Sequence, residues 1–160
     1  MRMSPPRSTA AWTLAGALTI GAAAAIPASA ASDNGRIFVP GAAQPWVSTP
    51  ITVEAGQTFT VRADGAGITW LRAGPGSISG PQGQDPDYPC LPELIGSDCA
   101  MNGAPFGALI AEVGDQTLLI GAGGTFRAPA SGTLRLAVND ILGYYFDNSG
   151  GYAVRITTGT

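Results

Sequence analysis

A single all-β domain, a sandwich of short antiparallel strands, is predicted on three observations. From Ile37 onward apolar residues alternate with polar ones in period two. The alternating runs are short and bounded by Gly, Pro and Asn, as strands joined by turns require. No stretch after the N-terminal thirty residues keeps a helical period over the length of an ordinary helix, so helix content should be slight.

Gly132–Asn139 is the clearest strand: Leu134, Leu136 and Val138 share one face, while Thr133, Arg135 and Ala137 share the other and are expected to meet water. Tyr152, Val154 and Ile156 repeat the scheme against Ala153, Arg155 and Thr157. Further strands are expected at Ile37–Val39, Pro50–Val53, Thr58–Ala63, Ala108–Val113, Thr117–Ile120 and Thr125–Ala128. Short strands in this rhythm argue for a β-sandwich. Between Ala66 and Pro105 the rhythm breaks; the stretch holds six prolines and both cysteines. Such a long irregular segment in a small domain is a functional loop or a decorated surface.

Residues 1–30 carry Arg2 and Arg7, an apolar run from Ala10 to Ile26, and the small-x-small site Ala28-Ser29-Ala30. They are expected to be a signal peptide cleaved after Ala30, leaving residues 31–160 as one secreted domain, extracellular or periplasmic, with no membrane span. That domain holds six Arg and no Lys against eleven Asp or Glu. Nucleic acid, whose binding rests on clustered Lys and Arg, is disfavoured; cations and neutral ligands fit better. Cys90 and Cys99 are the only cysteines. In an oxidising compartment they are expected to form a disulfide pinning a Pro-rich surface loop.

The chain has no His, which removes Ser-His-Asp and Cys-His catalysis, the usual zinc sites and the commonest general base. "DNSGG" at Asp147–Gly151 resembles a serine-protease loop only superficially, since without a base the serine is an ordinary hydroxyl. "IGAGG" at Ile120–Gly124 is a turn: Phe126 stands where a dinucleotide fingerprint needs glycine. Asp85 and Asp87 are a carboxylate pair of the type used in glycoside hydrolysis, but a small sandwich implies no deep cleft for it. The expectation is a non-enzyme.

"VNDILGYYFDNSGGY" at Val138–Tyr152 is the chemically richest stretch. Asp140 ends one strand and Asp147-Asn148 precede the next, so their oxygens are expected to converge at one end of a hairpin. Hard cations such as calcium take six to eight oxygens from carboxylates, amides and carbonyls. Asp140, Asp147, Asn148 and a carbonyl near Tyr144 supply fewer than that, so water, another loop or a hydroxylated ligand must complete the shell. The spacing is not that of an EF-hand. Asp and Asn also populate turns for purely backbone reasons.

Set beside "GPQG" at Gly80–Gly83, "PFGALIAEVG" at Pro105–Gly114, "IG" at Ile120–Gly121 and "FRAPASGTLRLAVND" at Phe126–Asp140, the stretch "DNSGGYAVRI" at Asp147–Ile156 completes a pattern. It resembles the PA-IL-like galactophilic lectins, small calcium-dependent bacterial proteins, in the same order from about Gly35 to Ile156. The resemblance implies a jelly-roll-like β-sandwich in which calcium (Ca2+) bridges the protein and two neighbouring hydroxyls of a galactose-like sugar. It places the calcium ligands at Asp140, Tyr144 (carbonyl), Asp147 and Asn148, and the sugar beside Asp140, Ile141, Tyr144 and Asp147. Asp147 departs from the family's usual Asn. The family's sugar-selecting His and Gln follow "GPQG", where this chain reads Gln84-Asp85-Pro86-Asp87-Tyr88. Gln84, Asp85, Asp87 and Tyr88 therefore form the specificity loop, with Tyr88 either stacking on a sugar or packing. A further calcium carbonyl is expected near Ile68–Leu71 without assignment to one residue. Trp46 reads as core or sheet edge, and Trp70, nearer the rim, reads equally as a sugar-stacking or a packing residue. The resemblance also implies a homo-oligomer, in which several weak sites gain by avidity. The competing reading is a structural or protein-binding sandwich that keeps the fold, with or without calcium, and has lost sugar recognition.

Overall fold

The two clearest alternations bury their apolar faces as read. In the Gly132–Val138 strand Leu134, Leu136 and Val138 are buried, and in the Gly151–Thr158 strand Tyr152, Val154 and Ile156 are buried while Arg155 is exposed. These faces meet because burying a Leu, Val or Ile side chain is worth about 1.5–3 kcal/mol, which a strand with one apolar face recovers only against a second such face.

The computed structural model describes residues 32–33, 35–42, 46–65, 68–70, 77–84 and 89–159. The expected leader at 1–30 lies outside them, as do Asp85, Asp87 and Tyr88. In chain order the strands are β1 (Ser32–Asp33), β2 (Arg36–Pro40), β3 (Val47–Val53), β4 (Thr58–Gly65), β5 (Ile68–Trp70) and β6 (Ser77–Ser79). They continue with β7 (Leu109–Val113), β8 (Gln116–Leu119), β9 (Gly123–Arg127), β10 (Gly132–Val138) and β11 (Gly151–Thr158). One sheet runs β1-β2-β11-β4-β9 and the facing sheet β3-β10-β7-β8, with all neighbours antiparallel. Ile37, Val39, Phe59, Val61, Val154 and Ile156 from the first sheet close on Val47, Val53, Leu109, Val113, Leu134 and Leu136 from the second. The expected all-β, jelly-roll-like sandwich is the observed architecture.

Three local expectations are corrected. First, β10 and β11 do not form a hairpin: they lie in different sheets, and the segment 139–150 crosses the end of the sandwich from one to the other. Second, Ala137 and its cross-strand neighbour Ile110 are 2% and 0% exposed, so this end of the sheet is covered on its outer face as well. Third, the irregular region contains the β5–β6 pair and one helical turn, Pro92–Ile95. Pro92 opens that turn with a preset φ, and left-handed Gly96 closes it by donating its N–H to the Pro92 carbonyl at 2.7 Å. Among the described residues no helix is long and apolar enough to cross a membrane. Trp46 is half-buried just ahead of β3, in keeping with a sheet-edge residue.

Register places several strand ends together. Val138 pairs with Leu109, Leu136 with Val47, Gly151 with Pro40, and Tyr152 with Gly65. The end of β10, the starts of β7, β3 and β11, and the ends of β2 and β4 therefore share one pole, which the segment 139–150 caps.

Candidate functional site

The capping segment starts with two buried polar side chains in succession. Asn139 is fully buried, and its amide is spent on structure: Oδ1 accepts the Met101 N–H at 2.8 Å, and Nδ2 donates to the carbonyls of Ala104 (3.0 Å) and Pro105 (3.2 Å). Asp140, 7% exposed, turns towards the pole, where its Oδ1 accepts the Ile141 N–H at 2.7 Å and its Oδ2 accepts Asn148 Nδ2 at 2.8 Å. Removing a carboxylate from water costs several kcal/mol, and charge-assisted bonds of about 1.5–3 kcal/mol each offset that cost.

Asn148 is the counterpart across the loop. It is 6% exposed, and Nδ2 also donates to the Gly41 carbonyl at 3.2 Å. With Nδ2 facing two acceptors the amide orientation is fixed by chemistry, since the flipped form would set oxygen against a carboxylate and a carbonyl. Asn148 Oδ1 consequently points elsewhere, and it is buried with no hydrogen-bond partner. A buried amide oxygen left unpaired costs about 1–3 kcal/mol. An ordered water, an N–H or O–H donor or, beside a carboxylate, a hard cation can satisfy such an oxygen.

Between these two residues the chain makes a single 3-10 turn, Tyr145–Asp147, after which Asn148 N–H returns to the Tyr145 carbonyl at 3.1 Å. Tyr144 N–H donates to the Ile141 carbonyl at 3.0 Å. The turn splits three aromatics between two environments: Tyr145 is fully buried, whereas Tyr144 and Phe146 are 47% and 75% exposed. Burial and then the Asp140 charge push the Tyr145 hydroxyl well above its usual range, against a smaller opposing pull from the Asp140 backbone; it makes no hydrogen bond of good geometry. The exposed rings lean together with centroids 6.0 Å apart. Asp147 is half-buried at the end of the turn.

The back of this loop is braced by the cysteine segment. Cys90 and Cys99 form a disulfide, 0% and 5% exposed, packed with Ile141 and flanked by Ile95 and Phe106. Backbone bonds bracket Ile141: Ala100 N–H donates to the Asp140 carbonyl at 3.0 Å, and Leu142 N–H to the Asp98 carbonyl at 2.9 Å. The expected disulfide is present, and it lies behind the 139–150 loop.

"GPQG" belongs to the same pole. The turn closes through Gly83 N–H to the Gly80 carbonyl at 2.9 Å. Gly83 has φ +89°, and a Cβ there would meet Phe106 O and Pro105 Cβ at 2.8 Å, so only glycine fits. The Tyr152 hydroxyl stands 2.7 Å from the Gly80 carbonyl and 2.8 Å from the Gly107 carbonyl, while Gly107 N–H donates to the Asn139 carbonyl at 2.8 Å. A short chain of hydrogen bonds thus couples the turn to the base of the Asp140 loop. Burial pushes the Tyr152 hydroxyl up to about 12, partly offset by its hydrogen bond with Ser79. Gln84 leaves the turn with its N–H on the Phe106 carbonyl at 2.7 Å.

Comparison with known proteins bears on this arrangement. The family model described as PA-IL-like protein matches residues 35–160. The chain belongs to the PA-IL-like family. Eight chains of solved structures also match. One of them, described as "EclA N-terminal domain; PllA-like lectin", superposes with a TM-score of 0.57 at 21% identity, over 79% of this chain and 100% of that one. At that identity the likeness is one of fold. No curated protein matches.

In this PA-IL-like chain the fold brings Asp140 and Asn148 into contact, with Ile141, Tyr144 and Asp147 on the same loop. Gln84 reaches the same pole through the "GPQG" turn. Of the carbonyl expected near Ile68–Leu71, the structure describes only the backbone of β5, and Leu71 lies outside the described residues. No group of three or more His, Cys, Asp or Glu side chains suited to a metal occurs among the described residues; the loop offers two carboxylates and an amide instead. The sequence reading passed over Asn139, Gly41, Tyr145 and Tyr152 as site residues. Asn139 carried a detectable signal: a polar residue continuing the buried run of β10.

Proposed function

We propose that this protein is a secreted, calcium-dependent lectin, a carbohydrate-binding protein without enzymatic activity that takes galactose or a related sugar. One observation carries the reading: the buried, unpaired Asn148 Oδ1 beside the Asp140 carboxylate, on the loop where the family resemblance places its calcium ligands. Membership of the PA-IL-like family and the fold shared with a PllA-like lectin support it.

Asp140, Asp147, Asn148 and the Tyr144 carbonyl would hold the ion. Bound calcium supplies open positions for two neighbouring sugar hydroxyls. The protein's own part is to accept and orient. Asp140 and Asp147 take hydrogen bonds from those hydroxyls, each charge-assisted and therefore stronger than a neutral pair. The Ile141 backbone lines the same edge, its N–H held by Asp140 Oδ1. Gln84, with Asp85, Asp87 and Tyr88 beyond it, supplies the selectivity that a His would give in the family.

The test is a glycan array probed with the mature protein in calcium and in chelator, with Asp140→Ala and Asp147→Ala beside the wild type. Chelator-sensitive signal on terminal galactosides, lost in both variants, is expected. Signal on other sugars keeps the calcium mechanism and moves selectivity to the Gln84–Tyr88 loop. No glycan signal in any condition would overturn the proposal in favour of a structural or protein-binding sandwich.

A further inference from the structure

We infer that the Cys90–Cys99 segment is a positioning element of the ligand loop, its disulfide setting the geometry of Asp140 from behind; the inference rests on the calcium-dependent reading above. The Asp140–Leu142 backbone leaves β10 at the pole and has no sheet neighbour in either main sheet. What it has is Cys99, which faces Ile141 as an isolated antiparallel bridge. The two backbone bonds of that bridge start one residue to either side of it, from Ala100 to Asp140 and from Leu142 to Asp98. The direction of the Asp140 carboxylate is in turn tied to the Ile141 N–H. Segment 98–100 therefore holds the Asp140 carbonyl and the Leu142 N–H, on either side of the Ile141 N–H that aims the carboxylate.

The segment is itself held in place at three points. Asn102 Oδ1 accepts the Cys99 N–H at 2.8 Å, and Asn102 Nδ2 donates to Asp98 Oδ1 at 3.2 Å. Met101 N–H donates to Asn139 Oδ1 at 2.8 Å, next to Asp140 in sequence. At the far side Cys90 exchanges two backbone bonds with residues 103–104, its N–H to Ala104 O at 2.8 Å and Gly103 N–H to its carbonyl at 2.9 Å. The disulfide closes this ring, and Ile141, 2% exposed, packs in one buried cluster with both cysteines. A stiff ring behind a ligand loop acts as an outer-shell partner does: it fixes orientation without touching the ligand.

The test compares wild type, the Cys90→Ser/Cys99→Ser double variant and Asn102→Ala, which loosens the segment with the disulfide intact. Calcium affinity is measured by titration calorimetry at a temperature where each protein is fully folded. Amide exchange of Ala100 and Leu142 is followed in chelator. The expected result is faster exchange at both amides in both variants, with calcium affinity lowered on the order of tenfold in the double variant and by less in Asn102→Ala. Wild-type affinity in both folded variants would overturn the inference while leaving the calcium reading intact. If the double variant does not fold, unchanged affinity in Asn102→Ala despite faster exchange overturns it alone. Absence of calcium binding by the disulfide-bonded wild type would instead remove the reading on which the inference rests.

Discussion

Replacing Asn148 separates its two jobs. In chelator, Asn148→Ala deletes a charge-assisted bond to Asp140 and a neutral bond to Gly41. The bonds lost are worth about 1.5–3 and 0.5–1.5 kcal/mol, and removing the unpaired Oδ1 recovers about 1–3 kcal/mol, so the net loss is about 1–2 kcal/mol. For a domain of this size that lowers the melting temperature by roughly 5 °C. Calcium at a hundred times its dissociation constant stabilises the wild type by about 2.7 kcal/mol, and that gain should shrink in Asn148→Ala because Oδ1 is gone. Asn148→Asp keeps an oxygen but turns the donor facing Asp140 into a second anion. It should be destabilised in chelator, and calcium should recover more stability than it adds to the wild type, because the ion then screens a repulsion as well as filling a site. The assay is thermal unfolding of the three proteins with calcium and with chelator. A full calcium shift in Asn148→Ala, or no enlarged shift in Asn148→Asp, would refute the assignment of Oδ1 as a ligand.

Tyr152→Phe should cost about 1–2 kcal/mol by removing the single hydroxyl proton that the Gly80 and Gly107 carbonyls share, and amide exchange at Gly83 and Leu109 should quicken; unchanged exchange would mean that the "GPQG" turn holds itself. Glu112, raised above its ordinary carboxylate value by burial against the opposing pull of Arg135, holds its proton to a higher pH in the folded state than in the unfolded chain. Stability should therefore fall as pH rises from about 4.5 through its raised folded value, and Glu112→Gln should flatten that slope in urea midpoints measured from pH 4 to 7. Phe146→Ala should change stability by less than about 0.5 kcal/mol because the ring is 75% exposed; a larger loss would show the ring covered by another copy in solution.

The strands were legible where one face meets water and the other meets the core. β11 shows this: Arg155 out, Val154 and Ile156 in, as the alternation requires. Ala137 was misjudged for the same reason, since alternation distinguishes two faces but cannot report that the second is covered as well. The β5–β6 pair, three residues a side, is too short to show a period. At the site, Asp140 and Asn148 could be chosen by residue type and by their places at strand ends. Which of Asn148's atoms is committed to Asp140, and which is left over, depends on Gly41, distant in sequence and delivered by β2.

The misplaced hairpin has the larger consequence. In a hairpin the ladder itself would hold Asp140 opposite Asn148. Here the loop passes from β10 in one sheet to β11 in the other, and Ile141 has no neighbour in either sheet's ladder. An unsupported crossing loop would pay ordering entropy of about 1–2 kcal/mol per residue whenever it bound an ion. Cys99 opposite Ile141, Asn139 on the backbone of residues 101–105 and the buried Tyr145 order it in advance. The irregular stretch between β6 and β7, which lacked any strand pattern in the sequence, thus supplies the backbone partner that the topology denies to the ligand loop.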